Sequence, residues 1–189
     1  MIGLDRVSER CASDYLGLLR QLDRETEFMI YEPGERKANL RDIAGHLQSV
    51  NAKKNQVVFG YWAGSGLVRD PGRPGEQETA EVEQLVGYLS LFGGKQRRLS
   101  CTASLSVGVL KHWQGFGIAS RLWDWSKKWA EDAGIHMIEL SVMMCNIKAI
   151  ELYEKWGFRG CGLYKDRLKV AGRWMDEAMM QFQVGGWEE

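Results

Sequence analysis

The chain has 189 residues, 44% of them hydrophobic, enough for the core of one ordinary domain, and its 25 Lys plus Arg balance 25 Asp plus Glu. A formal charge of zero removes any global pull towards nucleic acid or an anionic membrane, so an anion has to be bound locally. Cys11, Cys101, Cys145 and Cys161 lie far apart without a CxxC pair, which gives neither metal-ligand nor redox spacing, and they read as free thiols.

The N-terminal stretch carries Asp5, Arg6, Glu9 and Arg10 in place of a signal peptide's apolar run, and no segment reaches transmembrane length. The protein is therefore expected to be cytoplasmic, without a membrane partner. Ser13 or Asp14 is expected to cap a first helix through Tyr15, Leu16, Leu18, Leu19 and Leu22, ended by "RETEFMIYEPGE" and its Pro-Gly turn. A second helix from about Asn39 lines up Leu40, Ile43, Leu47 and Val50 on one face. "NQVVFGYW" then has the aromatic and β-branched density of a strand. Residues 63–81 hold two of the three prolines among several glycines and read as a loop insertion within a single domain spanning 1–189.

Two strands follow, "QLVGYLSLF" and "TASLSVGVL". In the second, Ala103, Leu105, Val107 and Val109 alternate with Thr102, Ser104, Ser106 and Gly108, a face of small groups that leaves room beside the strand. The next helix is expected to bury Ile118, Leu122, Trp125 and Trp129 and to stop before Gly134. "HMIELSVM" is a further strand, Asn146 to about Trp156 a further helix, and "GLYKDRLKV" with "RWMDEAMMQFQV" a closing hairpin that turns at Ala171-Gly172. The order predicts an α/β fold of the α+β sandwich kind, with a mixed sheet carrying helices on both faces.

"WQGFGIASRL" places Gly115 and Gly117 where a helix begins, just after a strand. Backbone N–H groups in a first helical turn have no intrahelical acceptor, and the helix dipole adds positive potential there, so missing side chains admit a phosphate. Glycines that merely let the helix pack against the sheet would look the same. A dinucleotide-binding fingerprint is excluded because Ser120 stands at its third glycine, and no Gly-Lys-Ser/Thr phosphate loop occurs.

The stretch resembles the Q/R-x-x-G-x-G/A signature of the GNAT family of acetyl-CoA-dependent N-acetyltransferases, through Gln114, Gly117 and Ala119. "CNIKAIELYEKWGF" is similar to that family's N-x-x-A-x-x-x-Y-x-x-x-G-F helix, with Asn146, Ala149, Tyr153, Gly157 and Phe158 in register. Residues 85–182 carry the resemblance. It implies a mostly antiparallel sheet of the acyl-CoA N-acyltransferase type, its central strands splayed at Val107 to Val109. Acetyl-CoA would be held by Val107, Gly108, Val109, Gln114, Gly115, Phe116, Gly117, Ile118, Ala119, Ser120, Asn146 and Tyr153, with no metal. The acceptor would be an amine of a small molecule or peptide, and a homodimer is expected by analogy. From geometry alone, Asn146 is a helix cap and Tyr153, about 20° away around the axis two turns on, faces the same side.

The resemblance further gives the Val109 N–H to the acetyl carbonyl and Tyr153 to the departing sulfur. A phenol near 10 is a weaker acid than a thiol near 8.5, so full proton transfer runs uphill by about 2 kcal/mol and hydrogen bonding is the safer role. Glu81, Glu83 and Glu139 are weak candidates for a base, and Cys145 reads as a packed thiol. Family analogy puts Glu25, Glu27, Glu32 and Glu35 on the acceptor side, where they would suit a cationic amine. Two rivals stand beside the transferase: a non-catalytic acyl-CoA-binding or sensing module, and an interaction subunit docking through Trp113, Trp123, Trp125 and Trp129.

Overall fold

The computed structural model describes residues 3–64 and 83–187. Its elements are β1 (Gly3–Arg6), α1 (Ala12–Glu25), α2 (Leu40–Asn51), β2 (Gln56–Gly64), β3 (Glu83–Gly93), β4 (Thr102–Val109), α3 (Ile118–Asp132), β5 (Met137–Met143), α4 (Ile147–Lys155), β6 (Arg159–Val170) and β7 (Arg173–Gln183). The seven strands form one sheet in the order β1-β2-β3-β4-β5-β7-β6. Every pairing is antiparallel except β4 with β5.

The mixed, mostly antiparallel sheet is the one expected, and so are the four strands and three helices from Leu40 to Lys155. β1 was not foreseen: four residues are too short for an alternation to show, and the strand exists through its pairing with Phe59 to Trp62. Neither Ser13 nor Asp14 caps α1. The helix starts earlier, with Cys11 at the cap and no side-chain cap hydrogen bond. Asn39 does cap α2, in a reciprocal capping box with Asp42. Of the expected insertion, Ala63 and Gly64 belong to β2, while 65–82, Glu81 included, lies outside the described residues. The final hairpin turns where expected, at Ala171 and Gly172, both with positive φ.

Two faces of β4 show how the layers sit. A Cβ at Gly108 would lie 2.7 Å from Leu22 of α1, whereas Val109, pointing the other way, packs with Gly87 beside Ile118 of α3. So α1 covers one face of the sheet and α3 the other, with a continuous core of Val, Leu and Ile between them. The buried stripe of α3 is Ile118, Leu122, Trp123, Ser126 and Ala130, not the predicted one through Trp125 and Trp129. Trp123 turns inward because aromatic partners await it: it stacks on Trp156 at 5.3 Å and meets Phe182 edge-on at 5.0 Å. Ser126 is tolerated there because its hydroxyl donates to the Leu122 carbonyl. Trp125 is left 53% exposed.

Candidate active site

β4 and β5 pair only through Thr102↔Met137, Ala103↔Ile138 and Ser104↔Glu139. Beyond Ser104 the two strands part, and a cleft of about 1130 Å³ opens at the gap. The direction of the free backbone groups follows from the β3 side. Leu110 donates to Val86 O at 2.9 Å, and amides alternate between the two edges of a strand, so Val107 and Val109 turn N–H and C=O away from β3. Both face the gap, where β5 offers no partner. The splay implied by the family resemblance is present.

The far end of this edge is fixed by side chains. Gln114 Nε2 donates to the Val109 carbonyl at 3.0 Å, holding the glycine loop against the strand end. Glu25 Oε2, from the last turn of α1, accepts the Lys111 backbone N–H at 2.7 Å. Gly115 and Gly117 have φ of 85° and 75°, and a Cβ at either would meet, beyond its own chain neighbours, no atom within 4 Å among the described residues. This removes helix–sheet packing as their purpose. They supply left-handed backbone that turns the chain into α3, and the space above them stays open.

Gly108 is different. A Cβ there would sit 2.7 Å from Leu22 Cδ1 and 3.1 Å from Tyr88 Cε1, and the Tyr88 hydroxyl lies 3.0 Å from Ser106 Oγ. The room left by the small face of β4 is thus largely filled by Tyr88 and Leu22, contrary to the expectation from sequence. On the other side of the gap Asn146 Oδ1 accepts the Ala149 N–H, capping α4 as expected. Tyr153 of α4 packs against Trp156 and Phe158, and burial drives its phenol pKa well above the ordinary value, with Tyr88 adding to the shift.

Of the sequence-selected residues, the cleft wall carries Val107, Gly108, Val109, Asn146 and Tyr153, and along the helix start Gln114, Gly115, Gly117, Ile118, Ala119 and Ser120. Phe116 is not among the lining residues and is 66% exposed. Ser120 also accepts from Trp156 Nε1, tying α3 to α4. Cys145, expected to be packed, is exposed. Of the four glutamates expected around the acceptor only Glu25 lines the cleft; Glu27, Glu32 and Glu35 are exposed. Sequence reasoning missed Tyr15, Tyr88 and Arg36, all in the wall. No motif marks them. Among the described residues no three metal-ligating side chains come together, and no helix is long and apolar enough to cross a membrane.

A family model described as "Acetyltransferase (GNAT) family" matches residues 18–158. The chain belongs to the GNAT family of acetyltransferases. Solved GNAT structures share the fold. An acetyltransferase of the GNAT family from Streptococcus pneumoniae is 17% identical with a TM-score of 0.82, over 96% of this chain and 98% of that one. A ribosomal-protein-alanine N-acetyltransferase from Brucella melitensis is 21% identical with a TM-score of 0.74, over 96% and 99%. A GNAT superfamily phosphinothricin acetyltransferase from Sinorhizobium meliloti, solved in complex with acetyl-CoA, is 16% identical with a TM-score of 0.75, over 97% and 89%. No curated protein matches the chain.

Proposed function

We propose that this GNAT acetyltransferase moves the acetyl group of acetyl-CoA to the primary amine of a small molecule or peptide. The observation that carries the reading is the free edge of β4, where two unpaired amides face a cleft continuous with the open glycine loop. The fit to acetyl-CoA is local. Unobstructed space over Gly115 and Gly117 admits a diphosphate to the amides at the start of α3, and in a chain of zero formal charge such a local site is what an anion requires. Acetyl-CoA supplies an acyl group activated as a thioester.

This chain's residues then have separable tasks. The Val109 N–H, and the Val107 N–H with the same orientation, can receive charge developing on a carbonyl oxygen, an oxyanion-hole role that needs no reorganisation of the strand. Gln114 keeps the strand end in place through the Val109 carbonyl. Tyr153 donates a hydrogen bond to a departing sulfur without giving up its proton, because burial makes its phenol a weaker acid than a free one. Asn146 holds the first turn of α4, and through it Tyr153, at the gap.

Isothermal titration with acetyl-CoA and with CoA, followed by thiol-release assays on polyamines, aminoglycosides, amino acids and N-terminal peptides, tests the reading. Micromolar binding with thiol release on one amine class is the expected result. Binding without release from any amine instead identifies an acyl-CoA sensor. Of the four tryptophans behind the docking-subunit alternative, Trp123 is buried and Trp113 and Trp129 pack against the core, which leaves Trp125, 53% exposed, as the one side chain of that set open to a partner.

A further inference from the structure

The wall of the cleft formed by α1 and the segment leading to α2 is charged in a way the acidic sequence there conceals. Glu27, Glu32 and Glu35 face solvent, and Glu35 Oε2 accepts the Glu32 backbone N–H at 2.9 Å. Glu25 reaches the cleft with both oxygens engaged, by Lys111 N–H at 2.7 Å and Gln21 Nε2 at 2.8 Å. His46 lines the same wall, and burial lowers its pKa, with Lys53 acting in the same direction, which disfavours its charged form.

The permanent cation of this wall is Arg36. Its Nε donates to Asp23 Oδ2 at 2.7 Å and one terminal nitrogen, Nη2, to Asp23 Oδ1 at 2.9 Å, with Asp23 only 1% exposed. The Tyr31 ring lies 4.2 Å from the guanidinium carbon and fixes its plane. Pinning the α1–α2 segment to α1 uses only the Nε–Nη2 edge. The end-on fork, Nη1 with the second proton of Nη2, meets no acceptor among the described residues, although the side chain is just 12% exposed and borders the cleft. A guanidinium held in a plane with a free fork is the group that carboxylates and phosphorus oxyanions bind in bidentate fashion.

The fork and the proposed chemistry share one cavity. Arg36, Tyr88 and Tyr153 all line it, and Tyr88 lies within electrostatic reach of both of the others. Asp23 cancels the net charge of Arg36, so selection there operates through directed hydrogen bonds more than through long-range attraction. Resting on the transferase reading above, we propose that the acceptor is a small amine that also carries an anionic group, a carboxylate or a phosphorus oxyanion, received by the free fork of Arg36. The amine then points along the cleft towards the free edge of β4.

The test uses matched acceptors with the native enzyme and saturating acetyl-CoA: free amino acids against their carboxamides, aminoalkylphosphonates against amino alcohols, and a diamine. A charge-assisted hydrogen bond contributes about 1.5–3 kcal/mol, so the anionic member is expected to have kcat/KM about 10- to 100-fold higher. The carboxylate and phosphonate arms identify which anion is used. Arg36→Lys keeps a cation beside buried Asp23, and is expected to raise KM for the anionic acceptor by a similar factor while leaving the neutral analogue and the acetyl-CoA Kd unchanged. Equal or better turnover of the carboxamide or diamine overturns the acceptor class alone, as does an unaltered preference in a folded Arg36→Lys protein. Acetyl-CoA binding with no thiol release from any amine overturns the transferase reading, and the acceptor class with it.

Discussion

Tyr153 is the residue where motif and physics pull in different directions. A motif assigns it an acid's role, but its surroundings make it a poor acid: Trp156 and Phe158 pack on the ring and burial raises the phenol pKa. The hydrogen-bond role survives this, since a donor that keeps its proton still stabilises a developing thiolate. Tyr153→Phe is therefore expected to lower kcat on the order of 10²-fold, to leave the acetyl-CoA Kd within about twofold, and to add no ionisation to the kcat/KM profile that the native enzyme lacks. Stopped-flow thiol release and titration of acetyl-CoA check the two halves separately, and an unchanged kcat removes Tyr153 from the chemistry. Asn146 and Tyr153 were legible because both lie on one helix at a spacing that the sequence displays. Arg36 was not. Its importance comes from Asp23, thirteen residues away, and from a cavity that sequence spacing does not encode.

At the scale of elements, three glycines of one strand and loop divide by function. Gly115 and Gly117 are needed for left-handed backbone with open space above it, and Gly108 for the close approach of Leu22 and Tyr88. The sequence shows all three as glycine and hides the distinction, because what approaches each one is decided by elements far along the chain. Substitution separates them. Gly117→Ala meets no atom of the described residues beyond its chain neighbours but strains φ, a cost of about 1–2 kcal/mol in a left-handed conformation, and a shift of the loop amides is expected to weaken acetyl-CoA by about tenfold. Gly108→Ala forces Leu22 or Tyr88 aside and is expected to cost about 1–3 kcal/mol of stability by overpacking. Denaturant melts and acetyl-CoA titrations on both variants read the contrast. If Gly117→Ala binds as tightly as the native chain, the loop does not hold the diphosphate.

The whole molecule was legible where a strand or helix declares itself by its own period, from α2 to β7. It was illegible where an element depends on a distant partner, as β1 does on β2, or where the buried stripe of α3 turns to meet aromatics from α4 and β7. One global property follows from three tyrosines packed in or against the core. Tyr15, Tyr88 and Tyr153 all have phenol pKa values raised chiefly by burial, so the folded chain keeps these protons above pH 10 while the unfolded chain releases them. Their contribution to stability is fully present below about pH 10. Above it the unfolded state binds fewer protons, and stability falls with pH by about 1.4 kcal/mol per unit for each phenol held back. Urea unfolding from pH 8 to 11.5 is expected to show a flat region and then a decline approaching three protons in slope, shallower by about one proton in Tyr153→Phe. Phenolate absorbance is the control on mechanism: three tyrosines that stay protonated until the chain unfolds support this account, and phenols that titrate normally in the folded protein sink it.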